Sequence, residues 1–184
     1  MKKQLSRIDN YVLKQITALH SKPNNIIVHI ITMMGNAGIL WWILSVPFFI
    51  SKPHRPIGFN ILMAMFCGWI IGEVIIKSIV GRTRPSELLS QDELIIKPAH
   101  SSFPSGHTTT SFAVAVSLFI NCGPILWIPA LVMASLISFS RVYLRVHYFT
   151  DVCGGVLVGI GCGILSKFAT DAVRLIPIMH QILG

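Results

Sequence analysis

Long uncharged runs alternate with short basic loops along most of the chain. The first run, Ile26 to Ile50, follows Ser21-Lys22-Pro23 and is long enough to span, since about 20 residues cross a hydrocarbon core. Gly35-Asn36-Ala37-Gly38 inside it predicts a bend or a close neighbour, and Pro47 a kink towards its far end. The loop SKPHRP (51–56) leads to a second run, Ile57 to Val80, which carries Glu73 and Lys77. The longest polar excursion comes next, GRTRPSELLSQDELIIKPAHSS. Thr108 to Ser140 is uncharged again but too long for one span, and NCGP (121–124) divides it into a helical hairpin. A last span runs from about Asp151 to Ser166, with Lys167 marking its exit. Within it Gly155, Gly159 and Gly163 recur every fourth residue, a face suited to close helix packing.

Ahead of these runs, Leu5, Ile8, Val12, Ile16 and Leu19 fall at spacings of three and four. That pattern predicts an amphipathic helix within residues 1–22. It is too charged to span, and it either lies in the interface or caps the bundle. The expected fold is all-α: a polytopic membrane helix bundle of about five spans plus an N-terminal interfacial helix, one domain over residues 1–184.

Composition agrees with that class. The 184 residues are 53% apolar and only 12% charged, against about 25% charged in soluble domains, and the mean hydropathy is +0.68. No signal peptide is expected, because MKKQLSRIDNYVLKQ is punctuated by charges where an apolar core should stand. The net charge of +8 does not mark a nucleic-acid binder, since the basic residues lie between apolar runs and form no stripe. Anionic lipid surfaces and phosphate-bearing substrates fit it better. Cys67, Cys122, Cys153 and Cys162 are scattered without CxxC spacing, so neither a disulfide framework nor a zinc site is indicated.

Five spans have a consequence for topology. One membrane face receives the N-terminus, the end of span two, the start of span three, the end of span four and the start of span five. Three polar clusters gather on it: Lys77 with Arg84-Pro85, then Pro104-Ser105-Gly106-His107, then Ser140-Arg141, His147 and Asp151. Taken singly, Lys77 and Arg84 are ordinary basic flanks, Ser105 is a plain helix cap, and His147 with Asp151 is a polar pair at a helix start. Converging near lipid, they make an expensive arrangement of the kind that marks function.

Phosphoryl transfer suits them. Arg84 and Arg141 offer planar forks for phosphate oxygens, and Lys77 adds a point charge. Ser105 and Gly106 stand where free backbone N–H groups and the positive helix end meet an anion. His147 can attack phosphorus if a carboxylate, with Asp151 the candidate, holds its other ring nitrogen. His107 is left to protonate the leaving oxygen. Glu73, one turn before Lys77, is in the favourable order for an ion pair that orients the lysine.

The three clusters, in this order and with this internal spacing, resemble the three-part signature of the type 2 phosphatidic acid phosphatase superfamily. The match covers residues 77–151 with every signature position filled. The resemblance implies a phosphatase that needs no metal or other cofactor and works through a phosphohistidine at His147. Asp151 would support that residue and His107 would be the acid. Lys77, Arg84, Ser105, Gly106 and Arg141 would hold the phosphate, and Ser140 is assigned to packing. The partner would be a membrane lipid phosphate. Undecaprenyl diphosphate comes first, because the layout is most similar to short bacterial undecaprenyl diphosphate phosphatases; phosphatidylglycerophosphate, phosphatidic acid and lipid A phosphate are the alternatives. Some of those relatives carry Asp at the position of Gly106. Placement in the bacterial cytoplasmic membrane with an outward-facing site is likewise implied, although Lys2, Lys3, Arg7, Lys14 and Lys22 share that face against the positive-inside bias.

Arg82 and Arg145 are within reach of a second phosphate but read better as flanking charges, and Glu87, Asp92 and Glu93 as parts of a solvated loop. A transporter using Glu73 and Lys77 as relay groups is disfavoured by charges confined to one face and by the lack of an inverted repeat. A non-catalytic lipid-binding relative would be expected to lack His147 or His107, and both are present. The apolar spans argue against a large soluble haloperoxidase.

Overall fold

The structure, a computed structural model, describes residues 7–88 and 101–183. Asp92, Glu93, Leu5, Lys2, Lys3 and His100 lie outside the described residues, which are helical throughout their regular elements. In chain order the helices are α1 (Arg7–Ala18), α2 (Lys22–Gly35), α3 (Ile39–Ile50), α4 (Arg55–Gly68), α5 (Lys77–Val80), α6 (Gly106–Asn121), α7 (Pro124–Tyr143), α8 (Phe149–Arg174) and α9 (Pro177–Leu183). A π-helical stretch, Trp69–Ile76, joins α4 to α5.

Four segments are long and apolar enough to cross a membrane: Lys22–Ile50, Lys52–Val80, Pro124–Tyr143 and Phe149–Arg174. The remaining run of the expected five is α6, which has 16 residues and is shorter than those four. It is the middle of the bundle, packed by α4, α7 and α8, with Thr108, Thr109, Ser111, Ala113, Val114, Ser117 and Leu118 buried. The outside is apolar: Ile125 is 87% exposed and Leu157 72%, a surface that only lipid would cover.

Small residues allow α6 and α8 to approach. A Cβ at Gly155 would lie 2.9 Å from the Ser105 carbonyl, one at Gly159 2.6 Å from that of Thr109, and one at Gly163 2.6 Å from the Val116 Cβ. The glycine face of α8 is thus pressed onto the helix whose N-terminus carries Gly106 and His107. The hairpin breaks where Gly-Pro predicts, with α7 starting at Pro124.

The bend in the first span is a turn at Asn36–Gly38, where Ala37 and Gly38 have φ of 49° and 69°. Helix α8 runs on to Arg174, beyond the exit expected at Lys167, which pairs with Asp171 one turn later at 2.6 Å. Helix α1 divides its apolar stripe. Ile16 is buried against Val28, Val142, Tyr143, Leu144 and Val146, whereas Ile8, Tyr11 and Leu19 face outwards. Its other buried residue is Asp9.

Candidate active site

The ends of α5, α6, α7 and α8 meet at one end of the bundle, as the parity of the spans requires. Backbone hydrogen bonds tie them together: Ser105 N–H to the Asp151 carbonyl at 3.1 Å, and Ser102 N–H to the Arg82 carbonyl at 2.8 Å. Between these ends and the α3–α4 side lies a cavity of about 550 Å³. Its polar end holds Glu73, Lys77, Arg84, Gly106, His107, Arg141 and His147, and its apolar wall includes Trp42, Leu62, Met65, Phe66 and Trp69.

His147 sits in the short turn between α7 and α8, 2% exposed. Its Nδ1 lies 2.6 Å from the Ser102 carbonyl, which fixes Nδ1 as the donor and leaves Nε2 as the acceptor nitrogen. Sequence reading expects Asp151 at this nitrogen, but its Oδ2 is 3.8 Å away, too far for a hydrogen bond. That oxygen accepts the Tyr148 N–H at 2.9 Å, and Oδ1 takes Arg82 Nη1 at 2.5 Å. Asp151 therefore acts on His147 through space and through the backbone, one step removed from the ring. Burial foremost pushes the imidazole pKa down to about 4, with Arg141 and Arg84 adding to it and Asp151 opposing it. The ring is neutral at pH 7.

Arg84, Arg141 and Lys77 line the same cavity as His147. Arg84 Nη1 is 3.5 Å from the His147 Nε2 and donates to the Val146 carbonyl at 3.1 Å, while Nη2 donates to the Ser101 carbonyl at 3.3 Å. Arg141, 7% exposed, donates through Nη1 to the Thr32 hydroxyl, and its Nε is buried with no hydrogen-bond partner among the described residues. An orphaned buried guanidinium N–H beside an open cavity suits an anionic ligand. Lys77 Nζ is held by both Glu73 oxygens, at 2.5 and 2.6 Å, the pairing that the i,i+4 spacing predicts. Both residues stand at the π-helical stretch, a local widening that is frequent at functional sites.

Gly106 opens α6 with Ser105 at the cap position, and Ser105 makes no side-chain cap bond. Its hydroxyl instead accepts from Thr108 Oγ1 at 3.0 Å and does not cap the first N–H groups of α6, the end of a helix that suits an anion. A Cβ at Gly106 would overlap the Glu73 carboxylate, so Glu73 fills the space that a side chain there would need. Glu73→Gln should therefore weaken the grip on Lys77 and raise KM about tenfold while keeping measurable kcat. Wild-type KM and melting temperature in that variant would remove any role for the pair. His107 Nε2 is 2.9 Å from Asn36 Oδ1 in the turn between α2 and α3. Ser140 is buried and bonds back to the Ile137 carbonyl at 2.6 Å, a packing arrangement.

The sequence pattern of the PAP2 superfamily matches residues 56–173, more than half of the chain. The chain belongs to the PAP2 superfamily. Among similar proteins, the undecaprenyl-diphosphatase of Sulfolobus acidocaldarius is 32% identical over 128 residues, 69% of this chain and 62% of that protein. Undecaprenyl-diphosphatase BcrC of Bacillus subtilis is 34% identical over 91 residues, 50% of this chain and 47% of that protein. The matched part spans less than two thirds of either relative. The crystal structure of Aquifex aeolicus LpxE superposes with a TM-score of 0.77 at 25% identity, covering 90% of this chain and 98% of that one. The first transmembrane PAP2 type phosphatidylglycerolphosphate phosphatase from Bacillus subtilis shares the fold, with a TM-score of 0.68 at 24% identity over 91% of this chain and 87% of that one.

Several residues of this PAP2 site escape sequence reading. Thr32, Asn36 and Ser102 each supply the oxygen that holds a site residue, yet each is an ordinary polar residue in its own segment. Arg82 and Arg145, read as flanking charges, are not among the cavity's lining residues. Arg145 reaches the Thr17 hydroxyl of α1 at 2.9 Å, and Arg82 joins Asp9 to Asp151. The one available signal was Asp9, a lone acid on the same helical face as Val12 and Ile16.

Proposed function

We propose that this PAP2 protein hydrolyses the terminal phosphate of a membrane lipid, foremost undecaprenyl diphosphate to undecaprenyl phosphate, through a phosphohistidine. The observation that carries the reading is the division of one cavity into a cationic end around His147 Nε2 and an apolar wall. Trp42, Phe66 and Trp69 on that wall are each about half exposed, where a lipid chain can leave sideways. The names of the Sulfolobus acidocaldarius and Bacillus subtilis relatives support the diphosphate.

In the proposed reaction Nε2 of His147 attacks phosphorus, and the N–P bond forms as the P–O bond to the leaving group breaks. His107 gives its proton to that leaving oxygen. Water then attacks the phosphohistidine, returns a proton to His107 and releases phosphate with a free His147. Arg84, Arg141, Lys77 and the N–H groups at Gly106 stabilise the charge spread over the phosphoryl oxygens, the main task of a protein in phosphoryl transfer.

The test is purified protein in detergent micelles against farnesyl diphosphate, dioctanoyl phosphatidic acid, a phosphatidylglycerophosphate and a lipid A 1-phosphate. Phosphate release highest on the diphosphate supports the first assignment, and a higher rate on a monoester moves it to that lipid. Activity is expected to survive excess EDTA, because no three His, Cys, Asp or Glu side chains among the described residues are grouped as a metal site. Loss with EDTA and recovery with magnesium would contradict the histidine mechanism.

A further inference from the structure

Asp9 is fully buried, although it belongs to the amphipathic helix at the rim of the bundle. Its Oδ1 accepts the backbone N–H of Thr150 at 3.0 Å, and its Oδ2 accepts Arg82 Nη2 at 2.7 Å. The Thr150 hydroxyl also lies within 3.1 Å of both oxygens. Thr150 is in the first turn of α8, where backbone N–H groups have no helical partner. Asp9 thus caps α8 from a different helix. Asp151 caps the same turn from within, through the Tyr148 N–H.

Arg82 ties the two carboxylates together. Nη1 reaches Asp151 Oδ1 at 2.5 Å and the Thr150 hydroxyl at 2.7 Å, and the guanidinium lies 4.2 Å from the centre of the Tyr148 ring. Two fully buried carboxylates face the positive end of α8, bridged by one cation whose side chain is 21% exposed. His147 is the residue immediately before the Tyr148 cap. The backbone of His147 thus leads straight into this turn, while its ring is held by the carbonyl of Ser102, whose own N–H donates to the Arg82 carbonyl.

We propose that Asp9 and Arg82 are positioning residues for His147. The N-terminal helix supplies a carboxylate that, through Arg82, fixes Asp151 and the start of α8, and so aims Nε2 at phosphorus. Neither residue lines the cavity, so substrate binding should be spared. The inference rests on His147 as nucleophile. Displacement of a reacting group by about 1 Å can cost roughly 100-fold in rate, so a loss of about 10- to 100-fold in the phosphorylation step is expected.

Two conservative variants test this. Asp9→Asn keeps the shape and an acceptor for the Thr150 N–H but removes the charge. Arg82→Lys keeps a charge but cannot span both carboxylates. Quenched-flow measurements with farnesyl diphosphate labelled on its terminal phosphate yield, for each protein, the fraction of sites that become phosphorylated and the rate constant at which they do so. Positioning predicts a rate constant 10- to 100-fold lower, unchanged KM, and a retained fraction of competent sites. Because both residues act through one bridge, the double variant should lose no more than Arg82→Lys alone. A loss confined to the fraction of competent sites, at the wild-type rate constant, would make the network a folding element only and overturn the proposal. So would losses that multiply in the double variant. Should Asp9→Asn yield no folded protein, Arg82→Lys decides on the same two numbers. Failure of the underlying reading looks different: the wild type itself would release phosphate without labelled protein.

Discussion

His147→Ala is expected to eliminate turnover and phosphoenzyme together, a loss of about 10⁴-fold or more. The Nε2 atom lies 3.5 Å from Arg84 Nη1 in a cavity whose other imidazole, His107, is held by Asn36. With the His147 ring gone, the cationic end of the cavity can still bind the phosphate. Binding without chemistry is the expected signature: near-normal equilibrium binding of the lipid diphosphate, no labelled protein and no phosphate release. A variant that still accumulates labelled protein would move the nucleophile elsewhere, and His107 would be the first place to look.

The second large effect separates the roles of the two histidines. His107→Ala should cost roughly 10²–10⁴-fold on a phosphatidic acid, whose alkoxide leaves poorly without a proton. The loss should shrink on p-nitrophenyl phosphate, because p-nitrophenolate departs unprotonated. A diphosphate should fall between, since its leaving group is a phosphate monoester. Steady-state rates of the variant on the three substrates give the result directly. Equal losses on all three would mean that His107 does not protonate the leaving group. Its position at the start of α6, beside the cavity and bonded to Asn36, would then serve binding alone.

Periodicity in the sequence goes far with the scaffold and less far with the support of the site. The charge-free run broken at Gly123-Pro124 and the glycines at 155, 159 and 163 are local signals, and the hairpin and the α6–α8 contact follow from them. The Glu73–Lys77 pair is equally local, four residues apart on one helical face. Asp151 shows the limit. Its spacing from His147 suggests a direct hydrogen bond, yet the capping geometry of α8 draws its oxygen to the Tyr148 N–H, and the Ser102 carbonyl takes Nδ1. That carbonyl comes from 45 residues away, in a loop whose path no pattern encodes. Asp9 and Arg82 are 73 residues apart, so neither reveals the other. The same holds for Thr32, whose partner Arg141 lies 109 residues on. The π-helical stretch has no sequence signal either. Within it Gly72 lies against Thr109 of α6, a contact between distant parts of the chain.

The identity of the phosphorylated residue tests the central claim most directly. The wild-type protein would be mixed with farnesyl diphosphate labelled on its terminal phosphate, quenched without acid because the N–P bond is acid-labile, digested at alkaline pH and mapped by mass spectrometry. The account predicts phosphate on one histidine, His147, stable in alkali and lost in acid. Label on another residue, or turnover with no labelled protein at any quench time, would contradict it.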